Sequence, residues 1–113
     1  MKIGFVGLGN VGGKLAGSLL RNNFDLTVRD LDENLTSSFK DLGAKIANSA
    51  KELAEEADLI ITCLPSPKIC AQVMEGEDGI LEGLSENKIW LEMSTTDEAE
   101  VKRIDLYLLK QDP

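Results

Sequence analysis

The chain has 113 residues, 42% of them hydrophobic, and sets 12 Lys and Arg against 20 Asp and Glu for a net charge of −8. That length holds one domain with enough apolar residues for a packed core, which separates it from disordered chains. There is no histidine, so Ser-His-Asp and Cys-His catalysis, His-ligated zinc and an imidazole pH switch are all excluded.

Lys2 to Gly7 is a mostly apolar run with two branched residues, suited to a central parallel strand covered on both faces. Beyond the glycines, Val11, Leu15, Leu19 and Leu20 recur at helical spacing until Asn22-Asn23 stop them. Phe24 to Arg29 reads as a second strand, with Leu26 and Val28 on one side and Thr27 and Arg29 on the other. A helix from about Glu33 to Leu42 ends at Gly43, a good C-terminal cap. Lys45-Ile46-Ala47 is a short third strand, and Ser49 then caps a helix through Glu56 with Glu52 as the other half of a capping box. Asp58 to Leu64 is the most apolar strand, ended by Pro65 and Pro67. A helix follows from about Lys68 to Glu75. The loop Gly76-Glu77-Asp78-Gly79 and a short turn lead to a fifth strand, Lys88 to Met93. Ser94-Thr95-Thr96 then precede a last helix from about Asp97, with Val101, Ile104 and Leu108 on one face.

Strand and helix alternating with short connections predict an α/β fold with a parallel sheet. Right-handed crossovers favour a Rossmann-type doubly wound sheet in strand order 3-2-1-4-5, a single unit over residues 1–113. Leu59 to Pro65 is far too short for a bilayer, which needs about 20 apolar residues. No signal peptide precedes the first strand, so a soluble, cytoplasmic protein is expected. The acidic balance argues against nucleic acid as a partner. Cys63 and Cys70 match neither C-x-x-C nor a zinc knuckle and read as reduced, inert thiols, Cys63 as a buried small hydrophobe. No metal site is expected: Glu75, Glu77, Asp78 and Glu82, like Glu55-Glu56, read as solvated faces.

Gly7-Leu8-Gly9-Asn10-Val11-Gly12 matches G-x-G-x-x-G between a strand and a helix. In that motif the first glycine permits the tight turn, the second lets a pyrophosphate approach the backbone and the third allows close helix-strand packing. A helix beginning near Asn10 points free N–H groups at the phosphates, which lets so acidic a chain hold an anion. Asp30 follows about 20 residues later at the end of the second strand, where a carboxylate accepts from both adenosine ribose hydroxyls and repels a 2′-phosphate. A plain strand-end turn aspartate is the competing reading, with Asp32 nearby. Alternation sends Arg29 to the opposite face, away from any phosphate. A Walker loop fails because Leu8 and Leu15 stand where it needs glycine and Ser or Thr; Lys14 then reads as a solvated helix residue.

Ile3-Gly4-Phe5-Val6-Gly7-Leu8-Gly9-Asn10-Val11-Gly12 resembles the opening signature of the beta-hydroxyacid dehydrogenases, the family of 3-hydroxyisobutyrate, tartronate semialdehyde and 6-phosphogluconate dehydrogenases. Ile61-Thr62-Cys63-Leu64-Pro65 is similar to the family's strand-four motif, usually with Met where Cys63 stands. Gly76-Glu77-Asp78-Gly79-Ile80 and Glu92-Met93-Ser94-Thr95 fit its later segments. The resemblance implies that Leu64 and Pro65 lie beside the nicotinamide ribose, and Thr95 and Ser94 near the nicotinamide end. NADP-preferring relatives commonly carry Asn-Arg-Thr where this chain has Asp30-Leu31-Asp32, so NAD is favoured over NADP.

In the family a serine-glycine-glycine substrate loop and a helical domain with the catalytic lysine come further on. Neither is found here, so no catalytic residue is assigned and the chain resembles the first two-thirds of a cofactor domain, inactive alone. The alternatives are a non-catalytic dinucleotide-sensing or interaction module and an FAD-binding segment, which shares the loop and the ribose acid. An unpaired edge on the fifth strand suggests a homodimer through that edge, or through apolar surface of the last helix around Trp90, Tyr107 and Leu108.

Overall fold

The computed structural model describes residues 1–93. In chain order the elements are β1 (Lys2–Val6), α1 (Asn10–Arg21), β2 (Asp25–Arg29), α2 (Glu33–Asp41), β3 (Lys45–Ile46), α3 (Ala50–Glu56), β4 (Leu59–Thr62), α4 (Pro67–Glu75), α5 (Ile80–Gly83) and β5 (Ile89–Glu92). The five strands form one sheet in the order β3-β2-β1-β4-β5, and each neighbouring pair is parallel. The fold is thus the α/β, Rossmann-like sheet that the alternation predicts. The last predicted helix, with Tyr107 and Leu108, lies outside the described residues.

Register explains why the sheet carries two cores. Ile3 pairs with Leu26 and Leu59, and Phe5 with Val28 and Ile61. This row faces α1 and α2, where it packs with Ala16, Phe39 and Ala44. Val6 and Ile60 point the other way and join Leu53, Ala54, Cys70, Met74 and Ile80 from α3, α4 and α5. Phe5, Val28, Ile60 and Leu53 have no exposed surface, and each large side chain buried in this way stabilises the fold by roughly 1.5–3 kcal/mol. At Gly4 a Cβ would lie 2.3 Å from Leu53 Cδ2, so the missing side chain is what lets α3 lie against β1.

The elements end about where the sequence places them, and the differences have local causes. The second strand is buried on both faces, Thr27 being only 8% exposed, because helices cover both sides of β2. The short turn before β5 is the helix α5, seated on α3: a Cβ on Gly83 would lie 2.2 Å from the Lys51 carbonyl. The helix after β4 starts at Pro67 and has Ser66 as N-cap, whose hydroxyl accepts from Ile69 N at 3.2 Å. Lys88 Nζ closes the other end of α3, donating to the carbonyls of Ala54 (2.6 Å), Glu55 (2.8 Å) and Ala57 (2.6 Å). A cation there satisfies C-terminal carbonyls and complements the helix dipole.

Trp90 lies in β5, as the fifth-strand reading has it, and its half-buried ring packs against the α3–α5 core. The burial of the two thiols needs correction. Cys63 is half-buried, and Cys70 is the fully buried thiol, since the former sits past the end of β4 and the latter faces inward from α4. Among the described residues no helix is long and apolar enough to cross a membrane.

Candidate functional site: a cleft over the carboxyl ends of the strands

The turn between β1 and α1 is shaped by what its glycines leave out. Gly7 has φ +101, a left-handed conformation that side chains resist, and a Cβ on it would lie 2.1 Å from the Cys63 carbonyl. A Cβ on Gly12 would lie 2.0 Å from the Gly7 carbonyl, so the helix can start this close to the strand only without one. At Gly9 a Cβ would meet nothing within 4 Å. The glycine there serves no packing need and leaves open space at the mouth of the turn.

Gly9 is also the N-cap of α1 and supplies no capping side chain. The other long helices differ: Asp32 accepts from Asn34 N at 2.9 Å in α2 and Ser49 from Glu52 N at 3.1 Å in α3, as Ser66 does in α4. The first turn of α1 thus has no side-chain cap while Asn10, Val11 and Gly12 line a cleft, and a helix start of that kind, with its partial positive charge, favours an anion such as a pyrophosphate.

The cleft has a volume of about 990 Å³ and crosses the carboxyl ends of the strands, where open α/β sheets bind ligands. Of the residues singled out in the sequence, Gly7, Gly9, Asn10, Val11, Gly12, Asp30, Leu64 and Pro65 all line it. Leu8 does not: its side chain is 2% exposed and packs into the α1–α2 core. Ser94 and Thr95 lie outside the described residues. Asp30 makes the turn contact and also lines the cleft. Its Oδ1 accepts from Asp32 N at 2.8 Å, a strand-end turn, while Oδ2 accepts from Leu8 N at 2.7 Å and the residue lines the cleft.

Arg29 is the last residue of β2. It is among the residues that line the cleft beside Asp30, and its carbonyl there accepts from Gly7 N at 3.0 Å. Sequence reasoning missed Asn48, Ser49 and Gln72 on the far wall. Asn48 and Ser49 follow β3, so the rule that ligands sit at strand carboxyl ends could have found them. Gln72 comes from the middle of α4 and carries no such signal.

The wall formed by β4 and β5 is held by side chains. Trp90 Nε1 donates to Thr62 Oγ1 at 2.9 Å, and Thr62 Oγ1 donates to Glu92 Oε2 at 2.8 Å. Cys70 Sγ donates to the same oxygen at 3.1 Å. Cys63, on the cleft itself, has its thiol pushed above the ordinary value of 9.0, first by burial and then by the negative charge of Glu92. Such a thiol is a poor nucleophile near neutral pH.

The family model described as the NAD binding domain of 6-phosphogluconate dehydrogenase matches residues 2–112. The mitochondrial 3-hydroxyisobutyrate dehydrogenase of Mus musculus is 35% identical over 102 residues, which cover 90% of this chain and 30% of that protein. Among solved structures, the 3-hydroxyisobutyrate dehydrogenase of Salmonella typhimurium superposes with a TM-score of 0.88 at 26% identity, over 97% of this chain and 38% of that one. An imine reductase from Myxococcus stipitatus in complex with NADP+ has a TM-score of 0.88 at 16% identity, covering 97% of this chain and 37% of its own, and shows the shared fold alone. The chain spans about a third of the length of these relatives. It belongs to the family of the 6-phosphogluconate dehydrogenase NAD-binding domain, and its sheet and cleft are a dinucleotide-binding domain of the beta-hydroxyacid dehydrogenase type.

Proposed function

We propose that this member of the family binds NAD in preference to NADP and holds the cofactor for an oxidoreductase that moves a hydride between the nicotinamide and the CH–OH group of a small hydroxyacid. The observation that carries the reading is Asp30: a carboxylate at the end of β2, on the cleft, beside a glycine turn whose helix has no capping side chain. A carboxylate there accepts from the ribose hydroxyls and repels a 2′-phosphate. The uncapped start of α1 takes the pyrophosphate, and the open space at Gly9 leaves room for it. Leu64 and Pro65 border the cleft beyond β4, on the side assigned to the nicotinamide half. The dinucleotide itself supplies the hydride chemistry; the protein contributes binding and orientation.

Nothing in the chain matches the family's catalytic lysine region, so these residues alone are expected to bind cofactor without turnover. Association of two copies through β5 fits the same reading, since Ile89, Leu91 and Met93 are 58%, 45% and 44% exposed. A monomeric mass by light scattering at high concentration would remove that part.

The test of cofactor choice is thermal denaturation with NADH and NADPH side by side. A ligand at 100 times its Kd adds about 2.7 kcal/mol, and the larger shift is expected with NADH. An equal or larger shift with NADPH would overturn the preference, with Arg29 the first residue to suspect.

A further inference from the structure

We propose that Asp30 is a positioning residue for the phosphate turn, in addition to reading the ribose, so that sugar recognition and phosphate recognition depend on one carboxylate. The inference rests on the reading of the cleft as a dinucleotide site and goes beyond it, because the contact concerned exists without any ligand.

Two consecutive N–H groups of the turn are fastened to two consecutive residues at the end of β2. Gly7 N donates to the Arg29 carbonyl at 3.0 Å, and Leu8 N donates to Asp30 Oδ2 at 2.7 Å. The second bond is charge-assisted and part-buried, the kind that is short and strong. It fixes the backbone at the residue whose side chain is anchored in the core. After Leu8 the chain enters open space at Gly9 and is next tied by the first helical bond, Gly13 N to the Gly9 carbonyl. Asp30 is therefore the last side chain to hold the turn before the residues that face the phosphates.

The two jobs do not compete. A carboxylate offers roughly four lone-pair sites, and the Leu8 and Asp32 N–H groups take one on each oxygen. One site on each oxygen is left for the two hydroxyls of a ribose. A residue at position 30 that admits a 2′-phosphate by giving up every acceptor oxygen must also release Leu8. Changing the cofactor preference with such a residue at this position alone should then loosen phosphate binding of both dinucleotides.

Inorganic pyrophosphate separates the roles, since it has no ribose. Asp30→Ala removes a negative charge, so electrostatics alone would tighten pyrophosphate binding. Loss of positioning should instead weaken it about tenfold, the scale of one hydrogen bond to a charged group. Asp30→Asn keeps a carbonyl acceptor and is expected to stay within about threefold of the unsubstituted protein. In the ligand-free full chain, exchange of the Leu8 amide proton should speed up at least about tenfold in Asp30→Ala and much less in Asp30→Asn. Pyrophosphate bound as tightly or more tightly by Asp30→Ala, or Leu8 exchange equal in all three proteins, would overturn the proposal and leave Asp30 a reader of ribose only. If the unsubstituted chain binds neither NADH nor pyrophosphate, the dinucleotide reading fails, and Leu8 exchange still decides the positioning role. If Asp30→Ala does not fold, the Leu8 amide proton resonance decides. It should move upfield in Asp30→Asn as its acceptor loses charge, and an unmoved resonance would overturn the proposal.

Discussion

The two walls of the cleft are built on opposite plans. On the β1–β2 side the surface is backbone: a left-handed glycine, a second glycine under a carbonyl, and a helix start without a capping side chain. On the β4–β5 side the lining residues Cys63, Leu64 and Met93 stand beside a relay of side chains beneath the surface, from Trp90 to Thr62 to Glu92, with Cys70 joining at the carboxylate. At Gly7 and Gly12 the first plan has nowhere to put a Cβ, while at Gly9 it has open space, so its tolerance is all or nothing, position by position. The second loses strength in steps, one hydrogen bond at a time.

The sharpest way to break this contrast is to add one methyl group on the backbone side. Gly7→Ala must adopt a strained φ with its Cβ against the Cys63 carbonyl, and Gly12→Ala drives its Cβ into the Gly7 carbonyl. Each is expected to cost about 3 kcal/mol or more, or to prevent folding, as read by chemical denaturation. Comparable losses on the other wall need a lost charge: Glu92→Leu, which strips an acceptor from Thr62 and Cys70, should cost about 1–3 kcal/mol. Trp90→Phe removes the Nε1 donor to Thr62 and trims the ring packed on the core, and should cost about 1–2 kcal/mol in the same assay. If Trp90→Phe proved as damaging as Gly12→Ala, the division into two plans would fall.

Gly9 sharpens the comparison from within the backbone wall. Its Cβ would meet nothing, so Gly9→Ala should leave stability within about 0.5 kcal/mol while lowering NADH affinity in a binding titration. A Gly9→Ala protein that binds NADH normally would show that the open space is not where the cofactor lies. The smallest effect belongs to Cys63. Its proton is held tighter in the folded protein, so the folded state binds more protons than the unfolded state above the ordinary value of 9.0. Its contribution to stability is nil below that pH and becomes a loss as pH rises past it. Alkylation by iodoacetamide, followed by mass spectrometry, should accordingly be slower at pH 8 than for a free thiol, and slower again with NADH in the cleft.

Sequence legibility divides along the same line. Glycine spacing, strand order and the acid at position 30 were readable because each is a local pattern: a turn needs Gly7, a parallel sheet needs apolar runs such as Leu59–Thr62, and right-handed crossovers leave few orders. Thr62 and Glu92 are 30 residues apart and Leu8 and Asp30 are 22 apart, and no periodicity announces contacts of that separation. Ser66 escaped notice as a cap because the two prolines around it dominate the reading of that segment.

The three carbonyls gathered by Lys88 tie together parts of the chain that would otherwise open separately. The helix they terminate has 7 residues, too few to persist in water by itself. Its last turn is pinned by the residue that leads into β5. Peeling β5 from the sheet therefore uncaps α3 at once, and fraying of α3 pulls on the approach to β5. The crossover between the two halves of the sheet and its outermost described strand are expected to open as one cooperative unit, coupled through the single ammonium group of Lys88.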